Sequence, residues 1–120
     1  MPRDARAYLA DAIEACSAIR DATAGSDLET YEQNRLLRSA VEREFIIIGE
    51  ALNALSRAAP SAFETITHGR RIVGFRNKLT HEYPSVDNAL VWAIVETDIP
   101  LLLRECGDLL GMLNADHEEG

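Results

Sequence analysis

The sequence predicts an all-α fold, an antiparallel bundle of four main helices with a short extra helix after the second. Apolar residues recur at three- and four-residue steps through most of the chain, and no stretch shows the alternation of a half-buried strand. Capping residues, glycines and prolines divide this pattern into segments of helical length. At 120 residues and 47% apolar content, the chain can form one continuous core. We expect one helical domain over residues 1–115 and an acidic tail over 116–120.

The first helix is predicted over residues 3–23. Leu9, Cys16 and Ile19 lie on one stripe of this helix, and Gly25 closes the segment. Ser26 and Glu29 then match a capping box, in which the Ser hydroxyl accepts from a backbone amide of the first turn.

A long second helix is predicted over residues 27–58. Its apolar residues step by four, three, four and three, which gives a coiled-coil-like seam of Val41, Phe45, Ile48, Leu52 and Leu55. Ile46 and Ile47 lie outside this seam, so we expect a second set of helices, from the same chain or a partner, to contact the helix. Gly49 costs about 1 kcal/mol relative to alanine inside a helix, and close packing would offset that cost.

Prolines divide the second half of the chain. Pro60 ends the second helix, and Ser61 with Glu64 forms a second capping-box pattern that opens a short helix. A third main helix is predicted over residues 70–80, and it stops because the residue before Pro84 avoids the α region.

The fourth main helix is predicted over residues 86–113, with Ser85 as its cap. Pro100 lies inside it and is expected to kink it. Trp92 is at helical spacing with the apolar stripe and is expected in the core rather than stacked on a nucleotide base.

Charge is unevenly distributed along the chain. The formal net charge of −8 argues against a broad nucleic-acid-binding surface. Residues 35–81 nevertheless hold eight basic and four acidic residues. This local excess fits a confined anion site, and it also fits a basic surface on one helix pair with no further role.

Neither a membrane span nor a metal site is predicted. No apolar run reaches the roughly 18 residues of a transmembrane helix, and the first residues lack the apolar block of a secretory signal, so the cytoplasm is expected. Cys16 and Cys106 are far apart and are expected to be reduced and buried. Histidines are not clustered at ligand spacing, so no metal or other cofactor is predicted.

Functional side chains are densest between Arg76 and Tyr83. Arg76 and His81 are five residues apart, which on an unbroken helix separates them by about 140°. Because Pro84 stops the helix, its end can unwind and bring His81 round to Arg76. Without this convergence, an Arg and a His at a helix C-terminus have no further role than a favourable interaction of their positive charge with the helix dipole.

An arginine and a histidine are sufficient for metal-free cleavage of RNA. The histidine can transfer a proton to or from a ribose or phosphate oxygen, which contributes about 10²–10⁴-fold to the rate. The arginine can hold two phosphoryl oxygens as charge builds on them. One bundle supplies one such histidine, so a complete acid–base pair would be natural in a dimer that juxtaposes two motifs.

The motif resembles the Arg-x-x-x-x-His-x-Tyr signature of the HepT branch of HEPN domains, through Arg76, Asn77, His81 and Tyr83. Residues 46–51 and 92–103 resemble two helices of the same branch in the right order. The resemblance implies an HEPN-like bundle, a homodimer with the motif facing a cleft, and metal-independent, toxic cleavage of RNA. It also implies an antitoxin, a minimal nucleotidyltransferase that adenylylates Tyr83.

Several residues of the predicted site keep two interpretations. Asn77 and Lys78 are predicted to support Arg76 and His81. Glu50 either solvates a surface or pairs with Arg76 across the cleft, and Tyr83 is either the modification target or a packing residue. A rival function for the whole chain is a non-catalytic HEPN scaffold for a nucleotidyltransferase, in which the motif contacts the partner's nucleotide or phosphate.

Overall fold

Six helices make up the part of the chain that the computed structural model describes, residues 4–81 and 86–119. They are α1 (Ala5–Thr23), α2 (Leu28–Gln33), α3 (Arg35–Ala58), α4 (Pro60–Glu64), α5 (Gly69–His81) and α6 (Asn88–Glu119). These residues contain no strand, and the predicted all-α bundle is confirmed. None of the helices in these two ranges is both long and apolar enough to cross a membrane.

Aspartates cap the first two helices, and at the second an aspartate replaces the predicted serine. The Asp4 side chain accepts from the Arg6 amide at the start of α1. At α2, the Asp27 carboxylate accepts from the Thr30 amide at 2.8 Å, so the predicted cap at Ser26 is wrong by one residue. A charged acceptor is the better partner for the positive end of a helix, which explains why the aspartate takes the cap.

The predicted single helix over residues 27–58 is wrong, because Asn34 interrupts the helix. This residue has an extended backbone, and its side chain accepts from the Leu37 amide at 3.0 Å. Its own amide donates to the Tyr31 carbonyl, so Asn34 ends α2 and begins α3. Tyr31 stays fully buried and its ring packs against Trp92 at 5.4 Å, which confirms Trp92 as a core residue.

Helix α3 is the centre of the bundle, because it packs against α1 and also against α5. The predicted seam is confirmed, since all of its residues are buried: Val41, Phe45, Ile48, Leu52 and Leu55. Phe45 meets Phe75 of α5 edge-on at 5.2 Å, a favourable aromatic geometry. The predicted second set of helices is thus supplied by the chain itself, while Ile46 and Ile47 stay only partly buried.

The boundaries of α4 and α6 differ from the predicted ones. Pro60 takes the first position of α4, so Ser61 is inside that helix and the predicted capping box does not form. Helix α6 begins at Asn88, and the Asp87 carboxylate accepts from the Ala89 amide at 2.9 Å. The predicted cap Ser85 lies outside the described residues. Helix α6 contains Pro100 and continues to Glu119, so its predicted end at residue 113 is wrong.

Both cysteines lie in the core, as predicted, and both are free thiols. Burial raises the pKa of Cys16 to about 12, and burial likewise raises the pKa of Cys106 to about 12. Because the thiolate is the reactive form, the raised pKa protects both thiols from reaction. Their burial also keeps reagents away from them.

We expect neither thiol to react with a disulfide reagent at pH 8 while the protein is folded, because the raised pKa leaves almost no thiolate. Both should react at the rate of free cysteine in denaturant. Absorbance of the released thiol measures the reaction, and stoichiometric reaction of the native protein would contradict the buried placement.

Candidate active site

Gly49 of α3 allows the close approach of α5 at Arg76. A β-carbon at position 49 would lie 2.2 Å from the Arg76 Cβ and 2.6 Å from its Cγ. Carbon atoms that are not bonded to each other do not come so close, so only glycine fits here without a shift of the helices. The predicted close packing at Gly49 is confirmed, and the residue it packs against is Arg76, the predicted catalytic arginine.

Arg76 is held by two polar partners at the α3–α5 contact. Its Nη1 donates to the Asn77 Oδ1 at 2.7 Å, and its Nη2 lies 3.4 Å from the Glu50 Oε1. The arginine side chain is 28% exposed and that of Glu50 is 58% exposed. The structure therefore shows the second interpretation of Glu50, a pairing with Arg76. Both residues belong to the same chain.

Asn77 and Glu50 orient the guanidinium of Arg76, but they do not use all of its hydrogen-bond donors. Its Nε is buried and has no hydrogen-bond partner among the described residues. The contact with Glu50 is long, and an exposed ion pair of this kind contributes little to stability, about 0–1 kcal/mol. A phosphate can therefore displace Glu50 at small cost, because the released carboxylate regains water.

Helix α5 continues without a break to His81, so the predicted unwinding before this residue is wrong. The Thr80 hydroxyl is within hydrogen-bond distance of the carbonyls of Arg76 (3.2 Å) and Asn77 (3.0 Å) in the last turn. On a regular helix, His81 is turned about 140° from Arg76. His81 is exposed, whereas Arg76 lies against α3. The two side chains therefore leave the helix in different directions.

Asn77 lies between the two motif residues on the surface of α5. It accepts the hydrogen bond from Arg76, and it precedes His81 by four residues, a spacing that makes side chains neighbours on a helix. Lys78 precedes His81 by three residues and is also exposed. In the part of the chain that the structure describes, neither Lys78 nor His81 has a hydrogen bond or ion pair through its side chain. Tyr83, the predicted modification target, lies outside the described residues.

A second polar contact, which was not predicted from the sequence, joins α5 to α6. Arg71 Nε lies 3.2 Å from the Asp98 Oδ2, as an ion pair rather than a directed hydrogen bond. Asp98 is 1% exposed, and its Oδ1 accepts from the Thr97 hydroxyl at 2.8 Å. The sequence does contain a signal for this contact, since Asp98 is in register with the apolar stripe of α6. A carboxylate buried with that stripe requires a polar partner.

A shallow groove lies beside Glu50 on the outer side of α3. Its lining residues are Ser39, Glu42, Arg43, Ile46, Ile47, Glu50 and Leu79. Desolvation raises the pKa of Glu42 above its usual value, and Arg38 opposes this effect. The groove thus combines two isoleucines with charges of both signs, next to the carboxylate that holds Arg76.

The groups around Arg76 suit an anion rather than a cation. Residues 69–81 of α5 include arginines and a lysine but no acidic residue, and among the described residues Glu50 is the carboxylate paired with Arg76. Among the residues that the structure describes, no three His, Cys, Asp or Glu side chains are grouped as ligands for a metal ion. The arrangement is typical of a site that binds phosphate through charge-assisted hydrogen bonds.

Comparison with known proteins points to one family. The model of the family described as Ribonuclease HepT-like matches residues 12–109. A Methanocaldococcus jannaschii protein named "Putative RNase MJ1380" is 33% identical over 103 residues, which cover 86% of this chain and 94% of that protein. The "Probable ribonuclease HepT" of Thermococcus cleftensis is 33% identical over 105 residues, covering 85% of this chain and 92% of that protein. No solved structure gives a significant match.

We expect Gly49→Ala to destabilise the protein by about 1–3 kcal/mol, because the added methyl group overlaps Arg76 and forces α3 and α5 apart. Urea unfolding followed by circular dichroism measures the change. The matched control is Gly111→Ala on α6, where a β-carbon meets none of the residues that the structure describes within 4 Å. The control should gain up to about 1 kcal/mol from helix propensity, and equal effects at both positions would contradict the close approach.

Proposed function

Because this chain belongs to the HepT-like ribonuclease family, we propose that it is a metal-independent endoribonuclease that acts in the cytoplasm as the toxin of a toxin–antitoxin pair. The observation that carries the proposal is that Glu50 and Asn77 orient Arg76, and that an exposed histidine, His81, follows five residues later on the same helix. The ribonuclease names of the relatives support the choice of RNA as the substrate.

In the proposed reaction, the ribose 2′-oxygen loses its proton and attacks the adjacent phosphorus, and the bond to the 5′-oxygen breaks. The leaving 5′-oxygen takes up a proton, so the products are a 2′,3′-cyclic phosphate and a 5′-hydroxyl. His81 carries out one of these two proton transfers and water carries out the other, while Arg76 holds the phosphoryl oxygens as negative charge builds on them. Asn77 keeps the guanidinium oriented, which reduces the reorganisation needed in the transition state.

We further propose that the working form is a homodimer whose active site combines both protomers. Arg76 and His81 of one chain leave α5 in directions about 140° apart, so a single chain does not direct both at one phosphate. A two-fold dimer can place the His81 of one protomer opposite the Arg76 of the other. The partly buried isoleucines of the groove beside Glu50 supply apolar surface for such a contact.

The proposed antitoxin is a minimal nucleotidyltransferase that adenylylates Tyr83. The added nucleotide would carry negative charge into the neighbourhood of Arg76 and His81. It would compete with RNA for the guanidinium and also obstruct the approach of the substrate. Neutralisation would then require no change of the fold.

Arg76→Ala and His81→Ala should each lower the rate of single-stranded RNA cleavage by at least about 100-fold, because each removes a group that acts in the transition state. Cleavage by the purified protein should persist in chelator and leave a 2′,3′-cyclic phosphate, as seen by mass spectrometry of the products. Matched controls are Arg57→Ala and His117→Ala, two exposed residues away from the motif.

Unchanged rates in both motif variants would overturn the assignment of these residues. If the wild type cleaves no RNA yet binds the nucleotidyltransferase tightly and causes no growth arrest, the scaffold function is correct instead.

Co-expression with the nucleotidyltransferase should increase the intact mass of the chain by one or more adenylyl groups. Tyr83→Phe should abolish the increase, because it removes the hydroxyl that accepts the nucleotide, and Tyr31→Phe serves as the control since Tyr31 is fully buried. A mass increase that survives Tyr83→Phe would place the modification elsewhere.

A further inference from the structure

The outer face of α5 carries a glycine that packing against the described residues does not explain. Gly74 lies in the interior of the helix and is exposed, and a β-carbon there would meet none of the described residues within 4 Å. Glycine is among the poorest helix formers, and alanine would fit this position without any clash. Gly74 thus differs from Gly49, where the approach of Arg76 requires glycine.

Gly74 lies in a row of polar and cationic residues along one side of α5. Arg70 precedes it by four residues, and Asn77 and Lys78 follow by three and four, so all three are its neighbours on the helix surface. His81 follows one turn later and continues the same row. Apart from Gly74, every member of this row is exposed and carries a charged or hydrogen-bonding side chain.

The charge of α5 is entirely of one sign. Residues 69–81 contain no acidic residue, although the chain as a whole has a net charge of −8. Among the described residues, Lys78 and His81 have no acidic partner. Arg70 pairs with Glu64, but the two side chains are 78% and 56% exposed, so an anion can take the place of Glu64 at little cost.

We propose that this row, Arg70, Gly74, Asn77, Lys78 and His81, is a binding track for the sugar–phosphate backbone of single-stranded RNA, leading into the active site. Without a side chain at position 74, the backbone of the RNA can lie against the helix, and the cations on either side contact phosphates. The inference rests on the proposed ribonuclease function and extends it from the scissile phosphate to the neighbouring ones.

The dimensions of α5 suit this role. Arg70 and Lys78 are eight residues apart, about 12 Å along the helix axis, and His81 is about 16 Å from Arg70. The row is therefore longer than one phosphodiester group, and its cations can contact successive phosphates rather than one. Such contacts are independent of base sequence and depend strongly on salt.

The salt dependence of binding tests the track without relying on cleavage. The probe is a fluorescent 2′-O-methyl RNA oligonucleotide, which lacks the attacking hydroxyl, and its Kd is measured by anisotropy over a range of salt concentrations. Arg70→Gln and Lys78→Gln should each reduce the slope of log K against log salt by about 0.7, the value for one phosphate contact on a single strand. Arg104→Gln, an exposed arginine of α6, should leave the slope unchanged.

Gly74→Leu tests the need for a bare helix surface. It should weaken binding of the same probe at least tenfold, while Gly107→Leu, at a position of α6 that is also open, should not.

Unchanged slopes and unchanged affinity, or no binding by the wild type, would overturn the track. If Gly74→Leu instead converts a dimer to a monomer in sedimentation, the face is a protomer interface and the track is wrong. Binding with the predicted slopes but no cleavage of unmodified RNA would leave the track in place and refute the ribonuclease proposal.

Discussion

The contact between Gly49 and Arg76 determines how the rest of the site can be arranged. A β-carbon at position 49 would overlap the first two side-chain carbons of the arginine, so the two helices approach more closely than a side chain at position 49 would allow. This approach brings the guanidinium to the edge of the core, where Glu50 and Asn77 hold it. The Phe45–Phe75 ring contact and the Arg71–Asp98 ion pair support the same helix from α3 and α6. The position of the arginine is thus set by packing as much as by its polar partners.

The continuity of α5 has a direct consequence for mechanism. Because the helix runs to His81, the motif residues leave it on different sides, and Asn77 is the group that connects them along the surface. Under the proposed mechanism, which requires both the guanidinium and the imidazole, we therefore propose that a second protomer completes the site. In such a dimer, packing holds the arginine, while the exposed histidine is free to meet a partner or a substrate.

The parts of the fold that depend on local periodicity could be predicted from the sequence. The α3 seam, the burial of Trp92 and the close packing at Gly49 follow from spacing and helix propensity alone. The break at Asn34 could not, because Tyr31 and Val41 are buried on either side of it and the apolar pattern continues across the cap. The Asp98–Arg71 pair was missed because it joins distant segments of the chain. The direction of the His81 side chain depends on whether the end of α5 unwinds. The five-residue spacing between Arg76 and His81 does not determine this.

The most direct test of a site shared between protomers is to mix two inactive variants, Arg76→Ala and His81→Ala, under conditions in which protomers exchange. If each site takes its arginine from one protomer and its histidine from the other, mixed dimers regain one intact site. The RNA cleavage rate should then rise from the background of either variant to about a quarter of the wild-type rate, since half of the randomly formed dimers are mixed. No gain of activity on mixing, with exchange verified by native mass spectrometry, would contradict the account.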